Sequence, residues 1–419
     1  MDNKKPNLFL FSAHYPYGNG ETFLEDEVST TEKSFSKIVI ISGDREKRDT
    51  GRYIPQNAVV IDCREQRIEF WPLLKAAFQM FLPQTWREKA FAYRTLGYAK
   101  QKKPVNKAIL INYYMSNVLE KTIRKLDIPE DAIFYAYWMS SAAFFIANYK
   151  KKHPGVTCVC RTHGGDCYID KFYQPFRREI LSNLDAVFPI SEAGKKSIET
   201  LLVPHVEGRC VPLIVERLGV TKLSEKMNPP EKCEEFCIVT CSNVIALKRL
   251  DLMIDALAML RDKKIHWVHF GDGEKMEEIQ HQAEAKLSGS SIRYEFKGRV
   301  AKPDILEWYE EHHVDLFVNC SDSEGIPVSV MEAFSYGIPA VARNVGGIGE
   351  LVKSGINGIL LPAICTAEQL KDAISEIAEG SKDANEALCI GAYQTYQNDY
   401  CAEKNHMEFY EKIRTFHDN

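Results

Sequence analysis

Short apolar runs rich in Val, Ile and Phe recur along this chain, and longer amphipathic stretches separate them. Few folds accept that rhythm. A run of four to six β-branched and aromatic residues without polar alternation suits a strand buried on both faces. The amphipathic stretches between such runs suit helices that cover a parallel sheet from both sides. The first half predicts strands at 7–11, 37–41, 133–137, 156–161 and 186–189, with helices near 21–32, 105–125, 140–152 and 191–202. The stretch LGVTKLSEKMNPPEKCEE then breaks the pattern with a Pro pair and mixed charge, and reads as a linker. A second series predicts strands at 236–241, 266–270, 292–296, 316–319, 340–342 and 359–361. At 419 residues the chain has room for two such α/β domains, each with its own core. We expect them over 1–217 and 218–395, with a C-terminal helix at 396–419 that packs back on the first domain. Ligands in such folds sit at the carboxyl ends of the strands.

Composition narrows the function. The 53 Lys and Arg against 58 Asp and Glu leave a formal charge of −5, which argues against a nucleic-acid binder working through a broad basic face. No apolar run approaches the roughly 18 residues needed to span a bilayer. The opening MDNKKPNLFLFSAHYPYG is not expected to act as a secretory signal. The 12 cysteines are scattered, many within strands, and are expected as free thiols in a reducing cytoplasm. Their spacing fits no usual zinc site, so no metal is expected.

Three turns draw attention as anion seats. One runs from His14 to Thr22 and includes Gly18, Gly20 and Glu21. Another is Gly271–Asp272–Gly273–Glu274. Both begin like a dinucleotide fingerprint, but Phe23 and Met276 replace the third glycine, which removes the case for NAD or FAD. Each is either a plain strand-to-helix turn or a diphosphate seat on free N–H groups. The third follows the strand DLFVNC: Ser321 to Ala333, with Glu324 in the loop and Glu332 on the helix that Pro327 opens. Gly325, Ile326 and Pro327 lead into that helix, and the N–H groups of Val328 and Ser329 at its positive end suit a phosphate. Flanking carboxylates at Glu324 and Glu332 would then grip hydroxyls on either side of a diphosphate. The plainer reading makes Glu324 a helix cap and Glu332 a surface residue.

The stretch SEGIPVSVMEAFSYGIPAVARNVGGIGELVKSGINGILL, with its Glu-x7-Glu spacing, resembles the signature of the retaining glycosyltransferases of family four. The resemblance extends through CSNVIALKRLDLMIDAL, HFGDGE and FKGRV. It is thinner in YPYGNGETFLEDEV, RTHGGDCY and LDAVFPISEAG. It implies a GT-B fold, in which two Rossmann-like domains with parallel sheets face each other across a cleft that holds a nucleotide sugar. By that resemblance Glu324 contacts the transferred sugar, Glu332 the ribose, and Lys248 with Arg249 the diphosphate. Gly20 and Thr22 approach the diphosphate from the first domain, His163 lines the sugar site, and Gly271 and Val300 lie at the donor site. Many such enzymes carry an Arg six residues before the Lys, where this chain has Ser242.

The resemblance therefore implies a metal-independent hexosyltransferase without cofactor, in cell-surface polysaccharide synthesis. It would move a sugar from a nucleoside diphosphate to a glycan or lipid-linked glycan. An epimerase of the same fold and a non-catalytic nucleotide-sugar-binding partner are the rival classes.

The interval from Arg64 to Lys107 shows neither the strand–helix rhythm nor the resemblance. It holds ten Lys and Arg against three Glu, a net of +7, and eight aromatics: Phe70, Trp71, Phe78, Phe81, Trp86, Phe91, Tyr93 and Tyr98. Trp71, Phe78 and Phe81 are spaced to share a helix face. Two readings compete. In one the segment lies on an anionic membrane at the cytoplasmic face; in the other it is a helical insertion with its aromatics in the core.

Overall fold

A computed structural model describes residues 5–18, 20–43, 52–63, 68–169, 173–229 and 235–418. Positions 64–67 of the predicted insertion and 230–234 of the predicted linker lie outside them. The chain divides into two compact units, Met1–Leu218 with Glu403–Asn419, and Gly219–Ala402. The C-terminal return to the first unit thus begins at Glu403, seven residues later than the sequence suggests, since the helical turn Tyr396–Tyr400 belongs to the second unit.

The first unit holds a six-stranded sheet of β1 (Asn7–Ser12), β2 (Lys37–Ser42), β3 (Ala58–Asp62), β4 (Ala132–Ala136), β5 (Thr157–Thr162) and β6 (Ala186–Pro189), in the order β3-β2-β1-β4-β5-β6. Every pairing is parallel. Strands β4, β5 and β6 are buried along their whole length, which is why their sequences show no polar alternation. The edge strand β3 escaped the sequence reading. It is half-exposed, with Val59 open to solvent, and so lacks the solid apolar run of its neighbours.

A buried ion pair fastens the C-terminal helix Ala402–Asp418 to this unit. Arg161 on β5 meets Glu27, and both side chains are wholly buried. The Tyr135 hydroxyl donates to Glu27 Oε1 at 2.8 Å, and the Tyr410 hydroxyl lies 3.3 Å from the same oxygen. The Arg161 guanidinium also stacks 4.1 Å from the Phe409 ring centre. Phe409, Tyr410 and Ile413 complete a core with Phe35, Tyr135 and Phe188.

The second unit holds β7 (Phe236–Cys241), β8 (Ile265–Phe270), β9 (Ile292–Phe296), β10 (Leu316–Asn319), β11 (Ala340–Arg343) and β12 (Gly358–Leu361), ordered β12-β11-β10-β7-β8-β9 and parallel throughout. In both sheets the chain winds one way from a central strand, then returns to its other side and winds the opposite way. That doubly wound order opens a crevice at the carboxyl ends where the direction reverses, between β1 and β4 and between β7 and β10.

The insertion is helical. Helices Phe70–Gln79 and Pro83–Arg94 precede the long helix Lys102–Ile123. Pro72, Ala76, Thr85, Phe91, Ala92 and Tyr98 turn inward. Asn117 Nδ2 donates to the Pro72 carbonyl at 3.1 Å, and Thr85 Oγ1 and Tyr113 Oη lie 2.8 Å apart. The aromatics of the insertion divide between core and surface. Phe91 and Tyr98 are core residues, whereas Phe70, Trp71, Phe78, Phe81 and Trp86 are exposed.

Every described cysteine is a free thiol. No helix among the described residues is long and apolar enough to cross a membrane.

Candidate functional site

In the second unit the crevice is built by the loops that leave β7 and β10. The loop after β7 runs through Ser242 into a short 3-10 turn, Ala246–Lys248. Arg249 then takes a left-handed conformation (φ 52°) that starts the helix Leu250–Ala258. The loop after β10 carries Glu324 and ends at the helix Val328–Ser335. Pro327 is the N-cap of that helix, one place earlier than the first-turn position the sequence suggests. The N–H groups of Val330 and Met331 return to the Pro327 carbonyl, at 3.2 and 3.4 Å. Among the described residues no acceptor takes the N–H groups of Val328 and Ser329, which leaves them for a ligand at the positive helix end.

These loops bring the expected residues together. Lys248 Nζ donates to Glu324 Oε1 at 2.6 Å, and Asn319 Nδ2 lies 3.5 Å from the same oxygen. The pair is largely shielded, with side chains 19% and 11% exposed. Glu332 is buried on the helix, with Lys302 Nζ 3.8 Å from its Oε1. Lys302 opens the helix Lys302–Glu311 just after half-buried Val300. Sequence reading passed over Lys302 because nothing separates it from a solvated lysine.

Arg249, expected at the diphosphate, is held by carboxylates: its Nε and Nη2 bond Asp251 at 3.1 and 3.0 Å, and its Nη1 lies 3.4 Å from Asp322. Asp251, above all, pushes its pKa up and holds the charge. Asp322 is shared with Arg343, a buried residue at the end of β11 whose Nη1 also donates to the Cys320 carbonyl at 2.9 Å. Arg343 thereby braces the loop before Glu324. A charged residue ending the apolar run of β11 was the available signal for it.

Two glycines are required by close approach. Gly346 has φ +57°, and a Cβ there would lie 1.8 Å from the Glu324 carbonyl oxygen. Gly271 has φ +138°, and its Cβ would lie 1.8 Å from the Ser242 carbonyl oxygen. The Gly271 turn is laced to the loop after β7, with Ser242 N donating to Phe270 O at 2.9 Å and Val244 N to Asp272 O at 3.0 Å. At Ser242 the main chain packs directly on this glycine.

In the first unit His163 directly follows β5, almost fully buried among the rings of Trp138, Tyr137 and Phe23, whose centres lie 4.5, 4.6 and 5.4 Å away. Burial, helped by the charge of Arg161, drives its pKa down to about 3. The ring is therefore neutral. Its Nε2 lies 3.1 Å from the Tyr137 carbonyl, which can only accept, so the proton sits on Nε2 and Nδ1 keeps its lone pair. The loop after β1 folds on itself: the Glu21 carboxylate accepts from the N–H groups of Ala13, His14 and Tyr15 at 3.0, 2.7 and 2.7 Å. The resemblance implies a diphosphate near Gly20; in the turn itself the N–H groups of residues 13–15 hold the chain's own carboxylate. Thr22 begins the helix Thr22–Val28, and its side chain lies outside the described residues.

Two sheets of this order, one per unit, are the architecture of the GT-B glycosyltransferases, and solved structures agree. The lipopolysaccharide outer core galactosyltransferase WaaB superposes with a TM-score of 0.66 at 17% identity, covering 98% of this chain and 99% of its own. Anabaena Alr3699/HepE, solved with UDP and glucose, gives 0.67 at 16% identity over 98% of this chain and 100% of its own. Residues 222–389 match the family model described as Glycosyl transferases group 1. The O-antigen biosynthesis glycosyltransferase WbnH of Escherichia coli is 33% identical over 210 residues, 49% of this chain and 56% of the relative. The chain thus spans about half the length of the curated relatives it matches. Residues 222–389 thus resemble the group 1 glycosyltransferases, and the likeness of the whole chain to the solved structures shows the GT-B fold.

Proposed function

We propose that the protein transfers a sugar, with retention and without a metal, from a nucleoside-diphosphate sugar to a glycan or lipid-linked glycan of a cell-surface polysaccharide. The observation that carries this reading is the Lys248–Glu324 contact at 2.6 Å beside the two unpartnered N–H groups that open the helix Val328–Ser335. In the transfer the bond from the anomeric carbon to the diphosphate oxygen breaks and a bond to an acceptor oxygen forms. Negative charge collects on the departing diphosphate, whose freed oxygen takes up the proton that the acceptor hydroxyl gives up. Preorganised cations and dipoles stabilise that charge most when they are in place beforehand. Lys248 and the helix N–H groups fit this task. Glu324 would then face the sugar and Glu332 the ribose, each as a hydrogen-bond acceptor. Neutral His163 fits a hydrogen-bonding contact to a sugar better than a charged one. The UDP and glucose held by the HepE neighbour direct the first assays to UDP-hexoses.

The test is release of nucleoside diphosphate by the full chain from a panel of nucleotide sugars, with and without lipid-linked glycans. The product linkage is read by NMR. Acceptor-dependent release, an unchanged anomeric configuration and full activity in EDTA are expected. An altered sugar nucleotide formed without acceptor would establish the epimerase instead, and binding without turnover the non-catalytic partner.

A further inference from the structure

We infer that the helical insertion of the first unit is a docking surface for an anionic lipid bilayer. Its residues sort by direction. Outward go Phe70 (66% exposed), Trp71 (74%), Phe78 (68%), Phe81 (76%) and Trp86 (60%), five large rings within seventeen residues of a folded chain. Isolated apolar residues on a surface are ordinary, but such a concentration marks an interaction site. The Phe70 and Trp71 rings meet edge to face at 5.3 Å, and Lys89 Nζ sits 4.9 Å from the Trp86 ring centre. The rings do not float loose. Their helices are pinned from behind, where Asn117 bonds Pro72 and Gln79, and Gln84 bonds Tyr113.

Charge selects the partner. The two described acidic residues of the insertion are turned away from solvent. Glu88 is buried and accepts from the Tyr173 hydroxyl at 2.9 Å, and Glu69 is paired with Lys121. Its bases remain outside, with Arg87, Arg94, Lys100, Lys102 and Lys103 all exposed. Exposed aromatic rings beside exposed bases, of which only Arg87 among those named faces a described carboxylate (Glu207, at 3.9 Å), are the chemistry of an interfacial helix on anionic headgroups, where rings enter the acyl boundary and bases meet phosphates. A protein groove would bury such rings too. It would have no need for an insertion that hides its carboxylates and shows its cations, in a chain whose overall charge is −5. The surface extends the proposed function to the place where a lipid-linked acceptor would be met. It does not depend on the donor site.

The experiment is co-sedimentation of the full chain with phosphatidylcholine vesicles, with and without phosphatidylglycerol. Wild type should pellet with the anionic vesicles only, and release as salt is raised. Replacing Trp71, Phe78, Phe81 and Trp86 by Ser should cut pelleting at least tenfold with an unchanged melting temperature, because those side chains are exposed. Lys100→Glu, Lys102→Glu and Lys103→Glu together should weaken it comparably, since each base near such a surface is worth about fivefold in partitioning. Lys248→Ala, impaired in transfer under the function proposed above, should pellet like wild type, so failure of one reading leaves the other standing. Wild type remaining in the supernatant at low salt overturns the inference. Undiminished pelleting of the four-Ser variant also overturns it, as does a wild-type dimer that this variant dissolves while vesicles bind neither.

Discussion

Removing either member of the Lys248–Glu324 pair should separate catalysis from stability. The contact is 2.6 Å long and the side chains are 19% and 11% exposed, so solvent screens it only in part. Breaking a fully buried pair by truncating one partner costs about 3–5 kcal/mol. At this degree of exposure about 1–2 kcal/mol is the appropriate scale. The rate should suffer more. A preorganised group facing developing charge is worth about 3–4 kcal/mol, or roughly a hundred- to a thousandfold. Lys248→Ala and Glu324→Gln should therefore lower nucleotide-sugar turnover by at least about tenfold, and nearer a hundredfold, while the melting temperature moves only a few degrees. Because the groups touch, the double variant should lose less than the sum of the two singles, with a coupling of about 0.5–3 kcal/mol. Exchanging them, Lys248→Glu with Glu324→Lys, should restore stability but not transfer. The assay pairs initial rates of nucleoside-diphosphate release with thermal melts. Recovery of transfer in the exchanged variant would refute the reasoning, because it would make the pair a structural tie that tolerates either polarity.

Gly346→Ala should abolish nucleotide-sugar binding, since the new methyl would lie 1.8 Å from the Glu324 carbonyl in a left-handed conformation that itself costs about 1–2 kcal/mol; calorimetric titration showing normal affinity would refute the interlocked-loop geometry. Arg161→Met leaves Glu27 buried and uncompensated, so urea unfolding should show a loss of about 3–5 kcal/mol, partly recovered when Glu27→Gln is added. For His163, burial lowers the folded-state pKa from 6.5 to about 3, so the unfolded chain takes the proton first and this group opposes folding increasingly as pH falls below 6.5, by about 1.4 kcal/mol per unit. A 15N-histidine spectrum should show its ring neutral at about pH 5, and an imidazolium signal there would contradict the buried placement.

The sheets were legible because strands buried on both faces must be apolar throughout, as FCIVTC in β7 and AIFYA in β4 are. Edge strand β3 was not, because half-exposed AVVID leaves the same residue types without the burial that makes the run long. The aromatic spacing of the insertion held real information. Trp71 and Phe78 do share the outward side of one helix, but Phe81 falls in the turn beyond it. Glu324 and Lys248, 76 positions apart, could be paired from the sequence only through a family resemblance, since periodicity sees one helix at a time. Asp322 as the acceptor shared by Arg249 and Arg343 was out of reach, because which carboxylate a guanidinium meets depends on how two loops from different strands pass each other. The same holds for Glu21. Nothing in the sequence of a glycine turn says that its own glutamate, rather than an incoming anion, accepts from the turn's N–H groups.

The central claim, that the crevice between β7 and β10 seats a nucleoside-diphosphate sugar, is tested most directly by thermal melts of the full chain against a panel of nucleoside diphosphates and their sugars. A ligand at a hundred times its dissociation constant stabilises the folded state by about 2.7 kcal/mol. The account predicts that one base family raises the wild-type melting temperature by several degrees, that the sugar-bearing form does so at lower concentration, and that Lys248→Ala loses most of the shift. No shift from any nucleotide, or an equal shift in wild type and Lys248→Ala, would contradict it.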